Sequence, residues 1–163
     1  MKRISLIRHA KSDWDNQNSD YYRPLNQRGT NDAPVMGKRL FALYGKPDLI
    51  ISSGAVRALT TAEFFANNCD YPTKNIQVND NLYLASSRKI VEIIQSIDNQ
   101  FSNVWLFSHN PGISETVTEL TDRDVELKTC CICTLEKDTK KWSKLDLGNC
   151  HLTHHLTPKD NLN

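Results

Sequence analysis

The chain has 163 residues, of which 39% are hydrophobic and 24% are charged, and its formal net charge is +1. This balance predicts one globular domain with no basic face for nucleic acid. No apolar run approaches the ~20 residues of a membrane span, so we expect neither a nucleic-acid nor a membrane partner. The odd count of five cysteines and the charged first ten residues argue against a secreted disulfide framework, and we expect a cytoplasmic protein.

Hydrophobic patterning along the chain alternates between strand-like and helix-like segments. In chain order it predicts a strand over 3–8, a polar loop over 10–29, a helix over 30–44, a strand over 48–53, a helix over 55–68, a strand over 75–78, a helix over 86–98, a strand over 103–108 and a helix over 112–121. Two further strands, over 128–136 and 142–147, are predicted to form a hairpin, with a loose polar tail over 151–163.

This order of elements predicts an α/β fold. We expect a single-domain three-layer sandwich over residues 1–150, in which a mostly parallel sheet with an antiparallel strand carries helices on both faces. Continuously apolar segments such as 49–51 and 104–107 are typical of strands that are covered on both sides.

Basic residues stand at the ends of three predicted strands. Arg8 and His9 close the first strand, Arg57 begins the helix that follows the second, and His109 closes the strand over 103–108. In an open α/β sheet, ligands bind in the crevice beyond the carboxyl ends of the strands. Two arginines and two histidines at that edge predict a pocket for a phosphoryl group.

The residues around these positions suit the same chemistry. His9 is the candidate nucleophile, because a neutral imidazole can attack phosphorus and form a phosphohistidine. Lys11 and Ser12 add a cation and a hydrogen-bond donor for phosphate oxygens. Each residue also has a structural alternative, since His9 and Arg57 could be surface residues and His109 a buried histidine bonded to backbone. Their equivalent positions at three strand ends favour a shared site.

Two tight strand-to-helix turns are expected to place anion-binding helix termini at this edge. Either serine of Ser52–Ser53 could cap the helix that begins near Arg57. Asn110 could cap the helix after His109, with Pro111 at its first position.

A metal site is the main alternative among the other clusters. The cysteines at 130, 131 and 133, with Cys150–His151 and His154–His155, contain no Cys-x2-Cys pair of the kind that binds zinc. The segment alternates as a strand with buried thiols does. We therefore expect no metal and no cofactor.

These motifs resemble the histidine phosphatase superfamily, which has the phosphoglycerate-mutase-like fold, and within it the SixA-type phosphohistidine phosphatases. The similarity spans roughly residues 3–120, through the segments at 6–15, 20–29, 32–37, 47–50, 57–63, 82–83 and 109–112. The resemblance implies that His9 is the nucleophile and that Arg8, Arg57 and His109 form the phosphate pocket.

Four features depart from the family pattern. Ala10 stands where the family usually has glycine, and Gly54 where it usually has proline. Many relatives carry a glutamate general acid after the third strand, but residues 81–87 contain no carboxylate. Asp15 stands where many relatives have asparagine; it could donate a proton, or pair with Lys11 or Arg23.

The expected function is hydrolysis of a phosphohistidine on a partner protein, such as a phosphorelay or phosphotransfer component, through a covalent intermediate on His9. The missing general acid favours a P–N bond, because an imidazole leaves with less help than an alkoxide. Asn110 joins Asp15 and Arg23 as a secondary candidate for the site. A small-molecule phosphomonoesterase and a phosphate-binding regulatory module without turnover remain alternatives.

Overall fold

A computed structural model describes residues 1–15 and 17–159. Within these ranges, six strands form one sheet in the order β3-β2-β4-β1-β5-β6. The strands are β1 (Lys2–Arg8), β2 (Leu49–Ser52), β3 (Gln77–Val78), β4 (Asn103–Ser108), β5 (Ile132–Lys137) and β6 (His151–Leu156). The first four are mutually parallel, whereas β5 runs antiparallel to both β1 and β6.

Alternating side chains of the central strands supply two cores, one on each face of the sheet. On β4, Trp105 and Phe107 face α1 (Gln27–Tyr44) and α2 (Val56–Asn67). Val104 and Leu106 belong to the opposite core, with α3 (Ser87–Gln95) and α4 (Gly112–Thr121). The predicted single-domain three-layer α/β sandwich is therefore confirmed, because a strand buried on both faces needs helices on both sides.

The predicted hairpin between 128–136 and 142–147 is wrong. Residues 142–144 form a 3-10 helix in which Trp142 is fully buried and its indole Nε1 donates to the Phe101 carbonyl at 2.9 Å. The chain then crosses to α4, where the backbone N–H of Gly148 donates to the Glu119 carbonyl at 2.8 Å. Trp142 and Leu145 are buried in the core on the α3 and α4 side of the sheet from an irregular segment, whereas Leu147 is exposed, so the segment does not form a strand.

The predicted loose tail over 151–163 is also wrong for its first half. Residues His151–Leu156 form β6, which pairs antiparallel with β5, and residues 160–163 lie outside the described residues. The strand has a polar sequence because it lies at the edge of the sheet, where most of its side chains contact water. The hydroxyl of Tyr44 in α1 forms a hydrogen bond with the Nδ1 atom of His154 and so connects α1 to β6.

Candidate active site

The carboxyl ends of β1, β2 and β4 meet at a pocket of about 260 Å³. The register explains the meeting point, because Arg8 lies opposite Ser108 and the backbone N–H of His9 donates to the Ser108 carbonyl at 3.2 Å. The residues that line the pocket are Arg8, His9, Lys11, Ser12, Trp14, Asp20, Arg23, Arg57, Leu84, Asn110 and Thr129.

His9 is buried, with 6% of its surface exposed, and its ring orientation is fixed by one hydrogen bond. Its Nδ1 atom lies 2.8 Å from the carbonyl oxygen of Ala10. Since a carbonyl only accepts, Nδ1 carries the proton and Nε2 carries the lone pair. Burial, helped by His109 and two arginines nearby, holds the pKa of His9 well below its ordinary value. The ring therefore stays neutral and suited to nucleophilic attack at Nε2.

His109 lies beside His9, with the two ring centroids 5.2 Å apart. Its Nε2 atom lies 2.9 Å from Ser53 Oγ, and its Nδ1 atom is buried with no hydrogen-bond partner in the described structure. Burial, followed by the charge of Arg57, lowers the pKa of His109 to about 3. His109 is 1% exposed and is not among the residues that line the pocket. Its neutral imidazole therefore lies behind the pocket wall.

Arg57 makes two hydrogen bonds to Asp20 in the pocket. Arg57 is 2% exposed, and its two terminal nitrogens donate to the Asp20 backbone carbonyl at 2.6 Å and to the Asp20 carboxylate at 3.0 Å. The hydrogen bond from Tyr83, with those from Arg23 and Arg57, holds the pKa of the Asp20 carboxyl far below its ordinary value. Each terminal nitrogen of Arg57 keeps a second N–H that a phosphate oxygen can accept.

Arg8 and Arg23 supply the remaining fixed cations. Arg8 donates to the Leu127 carbonyl at 3.2 Å, its Nε atom is buried without a partner in the described structure, and burial lowers its pKa. Arg23 donates to Ser12 Oγ and pairs with Asp20 at 2.9 Å. Lys11 and Ser12 line the pocket as predicted, so the pocket has four cationic side chains against one carboxylate.

Neither predicted helix cap forms as expected. At α2, Ser53 Oγ accepts the N–H of Ala55 at 3.2 Å, but no side chain caps the helix. Asn110 likewise does not cap α4; its amide donates to the Leu127 carbonyl at 2.7 Å and its oxygen accepts from Ser114 at 2.6 Å. Both side chains instead hold the site together, Ser53 by contacting His109 and Asn110 by fixing the loop beside Arg8.

The glycine at position 54 has a steric reason in this chain. A Cβ atom there would lie 2.3 Å from the Asp80 carboxylate and 2.3 Å from the Tyr21 hydroxyl, which are joined by a hydrogen bond of 2.8 Å. The backbone N–H of Gly54 also donates to Asp80 at 3.2 Å, a bond that proline could not make. Glycine in place of the usual proline at position 54 therefore leaves room for the hydrogen bond between Tyr21 and Asp80.

Asp15 does not reach the pocket, which corrects its prediction as a secondary site residue. It is exposed, its backbone N–H donates to Asp13 at 2.9 Å, and Arg23 pairs with Asp20 instead. Sequence reasoning assigned no role to Asp20 or Tyr83. The only available signal was the Asp-x-x-Arg spacing from Asp20 to Arg23, which brings the two side chains together on a 3-10 turn.

The cysteines form no metal site in the described ranges. All five are free and buried, and no three His, Cys, Asp or Glu side chains of these residues converge. Burial raises the pKa of the Cys133 thiol to about 12. In the same ranges, no helix has both the length and the apolar character that crossing a membrane requires.

The two pocket imidazoles should remain neutral in mildly acidic solution. Because their folded pKa values are lowered, we expect the C2–H NMR resonances of His9 and His109 not to titrate between about pH 8 and about pH 5.5. The unfolded chain binds these protons first, so the free energy of unfolding should fall as pH drops below about 6.5. Assignment through His9→Ala and His109→Ala identifies the signals, and a midpoint near 6.5 for either would contradict the burial argument.

Comparison with known proteins agrees with this geometry. Residues 4–123 match the family described as the histidine phosphatase superfamily (branch 1). An uncharacterized chloroplastic protein of Arabidopsis thaliana is 29% identical over 152 residues, which are 88% of this chain and 70% of that one. The mitochondrial serine/threonine-protein phosphatase Pgam5 of Drosophila persimilis is 37% identical over 76 residues, 47% of this chain but only 26% of that protein.

Solved structures show the same fold. The crystal structure described as phosphohistidine phosphatase SixA from Agrobacterium tumefaciens superposes on this chain with a TM-score of 0.81 at 24% sequence identity. The match covers 96% of this chain and 98% of that one. The protein histidine phosphatase SixA complexed with tungstate has a TM-score of 0.83 at 21% identity, covering 98% and 99%.

The fold and the family match together indicate a phosphatase. The family match covers most of the chain, so the protein belongs to the histidine phosphatase superfamily, and its fold is the one that the two SixA structures have.

Proposed function

We propose that this protein is a phosphohistidine phosphatase that acts on a phosphorylated partner protein in the cytosol. His9 would accept the phosphoryl group, and Arg8 and Arg57 would neutralise its oxygens. The partner would be a phosphorelay or phosphotransfer component. The five free, buried cysteines suit a reducing compartment.

The proposed reaction has two balanced steps. His9 Nε2 uses its lone pair to form a bond to phosphorus while the P–N bond of the substrate breaks. When the other nitrogen of the substrate ring carries a proton, the ring leaves as neutral imidazole and needs no further proton. Water then attacks the phosphohistidine at position 9, which releases phosphate and returns a neutral imidazole to the enzyme. Nδ1 of His9 keeps its proton on the Ala10 carbonyl throughout.

The state of Asp20 is the observation that carries the choice of a P–N bond. It is the one carboxylate among the lining residues, and Tyr83, Arg23 and Arg57 all hydrogen-bond it. These bonds keep it ionised, so it has no proton to donate to an alkoxide. His109, with a pKa of about 3, is likewise deprotonated at neutral pH. A general acid typically contributes ~10²–10⁴-fold, so alkyl phosphates should be poor substrates.

A small-molecule or phosphoserine/threonine esterase is the second candidate. It is supported by the similarity to the relative named serine/threonine-protein phosphatase Pgam5. Tyr83 gives this candidate a structural basis, because its hydroxyl lies in the same hydrogen-bonded cluster as Asp20 and Arg57. A hydrogen bond to Asp20 raises the pKa of Tyr83, however, which weakens it as an acid.

Comparing leaving groups on one enzyme tests the proposal. We expect kcat/KM for phosphoramidate and for a phosphohistidine-bearing protein to exceed that for alkyl phosphates by at least about a hundredfold. Asp15→Asn is the matched control, and it should change every kcat/KM by less than about threefold because Asp15 is exposed. Rapid hydrolysis of alkyl phosphates would favour the esterase. Stable phosphate binding without turnover of any substrate would identify a binding module.

A further inference from the structure

Trp14 is an exposed aromatic residue at the mouth of a strongly polar pocket. Its surface is 70% exposed, whereas the other two tryptophans, Trp105 and Trp142, are fully buried. It lines the same pocket as His9 and Arg57. An aromatic side chain left in water loses the hydrophobic stabilisation that burial would give, and here it leaves aromatic surface available beside the pocket.

The position of Trp14 is fixed by a backbone turn and by an arginine that stacks on one face of its ring. The Asp13 carboxylate accepts the backbone N–H of Asp15 at 2.9 Å, which closes a turn around Trp14. Beneath the ring, the guanidinium carbon of Arg23 lies 3.6 Å from the ring centroid. Arg23 is itself buried and held by Ser12 and Asp20. One face of the indole therefore rests on an immobilised cation, and the exposure leaves the opposite face open.

Leu84 places a second apolar side chain at the same mouth. It is 57% exposed, lines the pocket, and has φ of 50°, in the left-handed region that a leucine rarely adopts. Its neighbours Leu82 and Ala85 are buried in the core, so the strained residue is the one that points outward. Strained backbone conformations that persist are concentrated at functional sites.

The pocket has room for more than a phosphoryl group. Its volume is about 260 Å³, while a water molecule occupies about 30 Å³ in the liquid. Arg8, His9 and Arg57 account for the phosphoryl end. Trp14 and Leu84 line the same pocket and add apolar surface to it beside these cationic groups.

From these contacts we infer that Trp14, assisted by Leu84, is a specificity-determining residue that binds the leaving group. The flat imidazole ring of a phosphohistidine stacks on the open face of the Trp14 indole while its phosphoryl group lies between Arg8 and Arg57. This inference rests on the proposed function and adds to it a preference for ring-shaped leaving groups over other P–N compounds.

Two small P–N substrates test it, because the leaving group of phosphoimidazole is an aromatic ring and that of phosphoramidate is ammonia. We expect Trp14→Ala to lower kcat/KM for phosphoimidazole about tenfold and for phosphoramidate less than about threefold. Trp14→Phe should keep most of the preference. Leu84→Gly should reduce it by a few fold without lowering Tm, because glycine adopts positive φ freely. Leu147→Ala, at a residue 73% exposed and absent from the pocket lining, is the control and should change neither substrate.

A binding measurement keeps the inference testable apart from turnover. In His9→Ala, which cannot form the covalent bond, phosphoimidazole should quench the fluorescence of exposed Trp14 and phosphoramidate should not. Equal losses for both substrates in Trp14→Ala would overturn the inference and reduce Trp14 to a support for Arg23. If the unaltered protein hydrolyses neither P–N compound, the proposed function fails, and the quenching result alone decides whether Trp14 binds the ring.

Discussion

His9→Ala is expected to abolish phosphatase turnover, with kcat falling by at least about 10⁴-fold. The ring presents a neutral Nε2 to the pocket because Nδ1 is committed to the Ala10 carbonyl at 2.8 Å. Alanine removes the imidazole Nε2 atom that we propose forms the covalent bond. Acid quenching of the unaltered enzyme is too harsh for a phosphohistidine, so the intermediate should be trapped under alkaline denaturing conditions with radiolabelled substrate.

The control for this variant is His151→Ala, at an exposed histidine of β6 on the far edge of the sheet. It should retain the kcat and the labelled intermediate of the unaltered protein. The nucleophile assignment is wrong if His9→Ala still incorporates label or keeps kcat within about tenfold of the original.

Arg57→Ala should be the next most damaging change, lowering kcat/KM by about 10²–10³-fold. It removes a buried fork of hydrogen-bond donors from the phosphoryl site and leaves Asp20 with one of its two arginine partners. Arg57→Lys should recover part of the loss, because lysine restores the charge but not the planar geometry. The inhibition constant of vanadate, measured on the same variants, should rise in the same order.

Arg88→Ala provides the comparison, since that side chain is 91% exposed and pairs only with Glu92 along α3 among the described ion pairs. Its removal should leave kcat/KM and vanadate inhibition unchanged. If Arg57→Ala kept kcat/KM within about threefold of the original, Arg57 would be a structural partner of Asp20 with no role in binding phosphate.

The central fold could be predicted from the sequence because its strands are apolar on both faces. The side chains of residues 104–107 point alternately into the two cores, and all four are hydrophobic. In an α/β protein, a short apolar run of this kind is typical of a strand that is covered by helices on both faces. The C-terminal part was not predictable in the same way. Trp142 is apolar but packs from a 3-10 turn, and β6 is polar but lies at an edge, so patterning misassigned both.

The residues of the pocket also divide into those that the sequence could predict and those that it could not. Arg8, His9 and Arg57 were predictable because strand ends fix where their side chains emerge, whatever the loops do. Asp20 was not, because its place depends on how a loop packs against α2, and no periodicity describes that contact. The error at Asp15 has the same origin. The sequence places it near the nucleophile, but the turn at Asp13 directs it to solvent.

The carboxylate of Asp20 acts as a built-in competitor for the cations that hold phosphate. It contacts Arg57 and Arg23 directly, so an arriving dianion must share or replace those bonds and withstand repulsion from a like charge. That opposition applies equally to the product. Under the proposed function, inorganic phosphate lacks the ring that would stack on Trp14, so we expect it to bind more weakly than the substrate. We also expect the charge of Asp20 to weaken phosphate binding, which would favour release of the product over stable occupancy.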